Sequence, residues 1–379
     1  MNHLKKMYIK VYRLILRGIY QFFSLVRKHD NNKVIIALYR SNELEGNLKY
    51  IYDELNKQMP EAEIHLVVGK NKMNLGLFKE IIMLSNAHYL ILDDYYLPIY
   101  LIHPKRNLKV IQLWHAAGAF KKFGYSTVGT KFGPKTSYLE VVPIHSNYTH
   151  VYVSSKKVIQ YYADAFQMSP MNIFPLGIPR TDLFQDEKEK EKIKKNIYDD
   201  YPFLKDKVNI LIAPTYRAKG DQHESDEELT KAIINISDAI NDNLHIIFKP
   251  HPYMDKAELN KLEECPNVLV TPNYPINEWM LISDAFVTDY SSSIFEFALL
   301  KRPLAHFIPD VNDYVHNRGF YQDISVISDG EQLYDTTQLI EWMNRRKKHE
   351  YFDSSRMIHY NFDYTDNVSE RIVTHFIRK

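Results

Sequence analysis

A single cysteine, Cys265, stands among the 379 residues. One thiol excludes an intramolecular disulfide and a paired-cysteine zinc site, and this sparing usage fits a reducing compartment. A lone cysteine is ordinarily a small core residue. Also absent are the GxxxxGK[ST] phosphate loop, the GxGxxG dinucleotide fingerprint, the HExxH metal helix and the GxSxG nucleophile elbow. No compact metal cluster is evident, and magnesium dependence stays open. Charge of one sign is lacking too: 48 Lys and Arg against 47 Asp and Glu give a formal +1. That balance supplies no basic face for nucleic acid. Long apolar runs are missing as well. Arg13 and Arg17 interrupt the most apolar N-terminal stretch, so neither a transmembrane helix nor a signal peptide is expected.

What is present is ordinary globular composition, 45% hydrophobic and 25% charged, on a chain long enough for two core-forming units. Residues 1–28 carry Lys5, Lys6, Lys10, Arg13, Arg17, Arg27 and Lys28 without one Asp or Glu. On a helical wheel Tyr8, Val11, Tyr12, Ile15, Ile19, Phe22, Phe23 and Val26 share a face, opposite Lys6, Lys10, Arg13 and Arg17. Such a basic amphipathic helix suits an anionic membrane surface; packing on the protein's own core is the alternative.

Beyond residue 30, apolar runs alternate with amphipathic ones. Strands are predicted at Val34–Tyr39, Ile64–Val68, Tyr89–Leu92, Val110–Trp114, His150–Val153 and Asn172–Leu176. The pattern restarts near residue 200, with strands at Val208–Ala213, His245–Phe248, Val268–Val270, Ala285–Thr288 and Leu304–Phe307. This βα alternation predicts an α/β protein of two Rossmann-type domains, 31–200 and 201–379, facing across a cleft and preceded by the 1–30 segment. The Glu- and Lys-rich stretch Gln185–Lys195 reads as a solvated helix.

Four polar clusters follow predicted strands, where open α/β sheets present ligand-binding groups. In LHIIFKPHP, Leu244–Pro252, Pro250 and Pro252 stiffen the backbone on both sides of His251. QLWHAAGAFKKFG, Gln112–Gly124, offers His115, with Lys121 and Lys122 nearby. APTYR, Ala213–Arg217, supplies a guanidinium able to grip phosphate oxygens in bidentate fashion, or simply a surface ion pair. In TDYSSSIFE, Thr288–Glu296, Ser291, Ser292 and Ser293 open a helix whose amides and hydroxyls suit phosphate, or cap it as any serines would. Glu296 and Asp289 are candidate partners for ribose hydroxyls, and Asp289 also for water. The joint placement points to a diphosphate-binding cleft.

These residues carry a resemblance. WHAAGAFKKFG at Trp114–Gly124, GIPRTDLF at Gly177–Phe184, APTYR, FKPHPY at Phe248–Tyr253, SDAFVTDYSSSIFEFALLKRP at Ser283–Pro303 and RGFYQD at Arg318–Asp323 resemble the CDP-glycerol glycerophosphotransferases of bacterial wall teichoic acid synthesis. The resemblance implies a GT-B-like pair of domains, with the acceptor side in the first and CDP-alditol held mainly by the second. His115-Ala116-Ala117 stands where many polymerising relatives carry HGT, and with the short length this resembles the priming members.

The reaction so implied moves glycerol phosphate from CDP-glycerol to an undecaprenyl-diphosphate-linked N-acetylmannosaminyl-N-acetylglucosamine disaccharide and releases CMP. His115 would be the general base, and His251 would stabilise or protonate the leaving CMP. Arg217 and Ser291–Ser293 would hold the diphosphate, with Glu296 on ribose. The implied location is peripheral, on the cytoplasmic face of the membrane, with other teichoic acid enzymes as neighbours. A glycerol- or ribitol-phosphate polymerase, a nucleotide-sugar glycosyltransferase and a non-catalytic nucleotide-binding scaffold are the competing readings.

Overall fold

The computed structural model describes residues 2–378 except 40–41, 70, 132, 216–221, 252 and 272; the side chains of 222–228 and 317 also lie outside the description. The chain divides into two compact units, Met1–Asp182 with Phe362–Lys379, and Leu183–Asn361.

In the first unit six parallel strands run β1 Lys33–Leu38, β2 Glu63–Val68, β3 Tyr89–Leu92, β4 Lys109–Gln112, β5 His150–Tyr152 and β6 Ile173–Phe174. Their order is β2-β1-β3-β4-β5-β6, so the winding reverses between β1 and β3. β1 and β3 are buried along their whole length, as continuous apolar runs in a doubly covered parallel sheet require. Val34, Ile36, Ile91 and Ile111 meet Leu48 and Ile51 of the helix Gly46–Gln58 in one core cluster.

The second unit repeats the plan with β7 Val208–Ile212, β8 Leu244–Phe248, β9 Val268–Val270, β10 Ala285–Thr288, β11 Leu304–Phe307 and β12 Glu331–Leu333. Here the order is β12-β11-β10-β7-β8-β9, again all parallel, with the switch between β10 and β7. The α/β, Rossmann-type expectation holds in each unit. β12 is the strand that the sequence pattern missed, three residues at a sheet edge with two polar side chains.

The boundary differs from the expected one near residue 200. The helix Glu187–Asp200 belongs to the second unit, where Ile193 and Ile197 are buried. The final helix, Val368–Arg378, returns to the first unit and buries Val368, Ile372, Val373 and Phe376 in its core. Asp182 anchors that return, since its carboxylate accepts from the amides of Val368 (2.8 Å) and Ser369 (2.9 Å), two donors that a helix start leaves unpaired. Gly177, at φ +108°, lets the chain pass there, because a Cβ would meet the methyls of Val368 at 2.7 Å.

The N-terminal helix His3–Val26 also departs from the wheel reading. Ile9, Leu16, Tyr20 and Ser24 face its own unit. Arg13, expected on the solvent side, is part-buried and donates to the carbonyl of Val141 at 3.2 Å, and Lys6 pairs with Glu140 at 2.6 Å. Leu4, Met7, Tyr8, Val11, Leu14, Ile15, Phe22, Leu25 and Val26 are exposed instead. The helix has two apolar arcs, and tertiary packing takes the narrower one. Among the described residues no helix is long and apolar enough to cross a membrane.

Candidate active site

In the first unit the site residues follow the carboxyl ends of β3 and β4. The β4 ladder ends at Gln112, two residues before the predicted end, because Trp114 turns into the left-handed region at φ +54°. An aromatic residue there is strained by about 1–3 kcal/mol, a cost borne only where the surroundings over-determine it. The indole stacks on the His115 ring at 4.3 Å and on Phe123 at 5.0 Å, and Phe166 meets it edge-on. This turn lifts His115 out of the sheet to a partly exposed position.

His115 Nδ1 lies 3.1 Å from the main-chain oxygen of Asp93 and 3.5 Å from Asp94 Oδ2. The carbonyl only accepts, so Nδ1 carries the proton and Nε2 is the basic nitrogen. The Asp94 carboxylate, itself largely buried, is placed to stabilise an imidazolium. Neither aspartate figured among the predicted site residues; the signal was a pair of carboxylates directly after the apolar run of β3. Beneath the indole, His145 is buried with Nδ1 3.2 Å from Tyr148 Oη, and burial, reinforced by His115, holds it down at about 3, hence neutral.

In the second unit the residues cluster at the β10/β7 switch point. A cavity of about 370 Å³ opens there, lined on its polar side by Thr215, His251, Thr288, Asp289 and Asp310, and on its apolar side by residues such as Ile233 and Leu339. His251 Nδ1 accepts from the amide of Tyr253 at 3.3 Å, which leaves the proton on Nε2. The two histidines thus stand in opposite tautomers, protonated on Nδ1 in His115 and on Nε2 in His251.

Other expected roles change. Asp289 is buried, and its carboxylate accepts from Thr215 N (3.0 and 3.1 Å), Thr215 Oγ1 (2.9 Å) and Tyr290 N (2.6 Å). It braces the ends of β7 and β10 where it lines the cavity. Glu296 is wholly buried and accepts from Asn277 Nδ2 at 2.5 Å, so it has no surface to offer a ribose in this state. Ser291 Oγ lies 2.8 Å from Ser293 Oγ and accepts from the Ser293 amide at 3.3 Å, capping the short helix Ser293–Ala298. Ser291 and Ser292 are part-exposed beside that cap. Arg217 and Pro252 lie outside the described residues. Among the described residues no three His, Cys, Asp or Glu side chains converge as a metal ion requires.

Each Rossmann-type unit thus presents a histidine after its strand ends, with a hydrogen bond that fixes the tautomer. The sequence matches the CDP-glycerol:poly(glycerophosphate) glycerophosphotransferase family over residues 19–378. The chain belongs to that family. Among relatives of this glycerophosphotransferase family member is the teichoic acid ribitol-phosphate primase of Bacillus spizizenii, 37% identical over 86% of each chain. The teichoic acid glycerol-phosphate primase of Bacillus subtilis is 25% identical over 83% of this chain and 81% of its own. Among solved structures, the wall teichoic acid polymerase TagF covers 100% of this chain and 98% of its own at 20% identity, with a TM-score of 0.76. The fold is therefore GT-B-like, and the family member is a transferase of teichoic acid synthesis in the bacterial cell wall.

Proposed function

We propose that this transferase moves an alditol phosphate from a CDP-alditol to a hydroxyl of a lipid-linked teichoic acid acceptor, releasing CMP. The observation that carries the chemistry is the His115 imidazole, held through Nδ1 on the Asp93 carbonyl beside the Asp94 carboxylate. His115 Nε2 takes the proton of the acceptor hydroxyl as its oxygen bonds to the phosphorus that bears the alditol. The bond from that phosphorus to the bridging oxygen of the diphosphate breaks, and CMP departs with the electron pair. His251 Nε2–H stabilises or protonates the departing phosphate. The cavity of the second unit takes the nucleotide.

The reading is of a primase, because the ribitol-phosphate primase is 37% identical, against 32% for the ribitol-phosphate polymerase of the same organism. That likeness favours CDP-ribitol as donor. CDP-glycerol is the second reading, favoured by the family description and by the glycerol-phosphate primase relative. The outward apolar face of the N-terminal helix, with Lys10 exposed at its edge and Lys28 exposed just beyond its end, supports peripheral binding to the inner membrane surface, where a lipid-linked acceptor resides.

Product mass after incubation with CDP-ribitol or CDP-glycerol and a soluble analogue of the lipid-linked acceptor tests the reading. One added ribitol phosphate is the expected product. One glycerol phosphate shifts the donor, a ladder of products makes the protein a polymerase, and no product from either donor refutes the proposal.

A further inference from the structure

The backbone around His115 is held by side chains from three separate parts of the first unit. Trp114 N–H donates to Gln112 Oε1 at 2.8 Å. The Trp114 carbonyl accepts from Asn47 Nδ2 at 2.7 Å, and the His115 carbonyl accepts from an Arg180 Nη at 3.0 Å. The clamp is cross-braced. Asn47 Oδ1 accepts from the Arg180 amide at 3.1 Å, and Gln112 Nε2 donates to the Asp94 carbonyl at 3.0 Å.

Asn47 and Gln112 have no exposed surface. A buried amide side chain is costly unless its groups are paired, and these bonds serve the very peptide groups flanking the histidine. Asn47 sits at the start of the helix after β1, Gln112 ends β4, and Arg180 lies in the turn after β6. A left-handed tryptophan would otherwise relax, turning the imidazole away from Asp94. We propose that Asn47, Gln112 and Arg180 are positioning residues for the transfer, a backbone clamp that fixes the direction of the His115 ring. The inference rests on His115 being the base.

Asn47→Asp tests it. The variant keeps the volume and the acceptor for the Arg180 amide but, when ionised, loses the donor to the Trp114 carbonyl. Because misplacement of a catalytic group by about 1 Å costs about 10²-fold, turnover per folded molecule should fall by about that factor while KM for the CDP-alditol stays put. Arg180→Gln, at a part-exposed position that tolerates change, should lower turnover in the same pattern but less. Histidine ring NMR, with His115 assigned by its loss in His115→Ala, should show a displaced His115 signal in both variants.

Unchanged turnover and an unchanged His115 signal in either folded variant overturn the clamp, as does a raised KM with intact turnover, which would make Arg180 a ligand contact. Loss of folded protein alone, with full turnover in what remains, assigns these residues a structural role and also overturns it. His115→Ala run alongside separates the two levels. If it keeps turnover, the base assignment fails; if it loses turnover while Asn47→Asp and Arg180→Gln keep it, the clamp alone fails.

Discussion

Replacing Asp94 by Asn removes one negative charge and little else. The amide oxygen can still accept from the Tyr95 amide, now bonded to Asp94 Oδ1 at 2.7 Å, so local geometry is preserved. What disappears is the attraction between the carboxylate and the imidazolium that forms as His115 accepts the hydroxyl proton, across 3.5 Å. At an effective dielectric of about 20 that attraction amounts to about 4–5 kcal/mol. The proton is only partly transferred in the transition state and the His115 ring is 26% exposed, so roughly half survives as barrier. At 1.36 kcal/mol per tenfold, about 2–3 kcal/mol corresponds to a loss of about 10²-fold in kcat. The assay is CMP release followed by chromatography, with donor affinity measured by calorimetry. Donor affinity should be unaltered. A kcat for Asp94→Asn equal to that of the parent, with the fold intact, would refute the role given to this carboxylate.

Three further outcomes are expected. Asp182→Ala, which strips the cap from the final helix, should cost about 1–2 kcal/mol and lower the Tm of the first unit by about 2–8 °C in calorimetry; an unchanged Tm would mean that the helix holds without its cap. Buried His145 and His306 are held down at about 3 and about 4 by burial, below the unfolded value, so the unfolded chain binds more protons in acid. Each therefore contributes stability present above about pH 6.5 that drains away toward the folded value, about 2 kcal/mol apiece by pH 5, visible as a falling urea midpoint that flattens in His306→Gln. On the N-terminal helix, Leu14→Glu with Phe22→Glu should weaken binding to anionic vesicles by about 10²-fold in flotation assays, from about 1.5 kcal/mol or more of burial lost at each, with Tm unmoved because both side chains are exposed. Equal binding by the double variant would remove that face from membrane contact.

Much of the fold was legible because parallel strands buried on both faces read as short β-branched and apolar runs. Tyr89–Leu92, Val268–Val270, Ala285–Thr288 and Leu304–Phe307 coincide with the predicted strands to the residue. The sequence pattern failed where tertiary contacts override local preference. No local pattern at Trp114 asks for a left-handed backbone; besides Gln112, the side chains that hold the peptide groups there come from positions 47 and 180. Asp289 is legible as a polar group just after a strand, whereas its bond from Thr215, 74 residues away, is a tertiary contact that no local pattern carries. Glu296 falls on the expected helix, but all six residues of that helix are buried, and Asn277 supplies a donor to its carboxylate. The return of the final helix to the first unit involves Asp182, far back in the chain, which no local pattern ties to residue 368.

The central claim is that His115 removes the acceptor proton, and His115→Ala tests it most directly. Transfer from CDP-ribitol or CDP-glycerol to the acceptor analogue should drop by about 10³-fold, in the range typical of a lost general base, while calorimetry shows CDP-alditol binding as tight as in the parent. Transfer at the parental rate by the folded variant would contradict the account, and the base would have to be sought elsewhere.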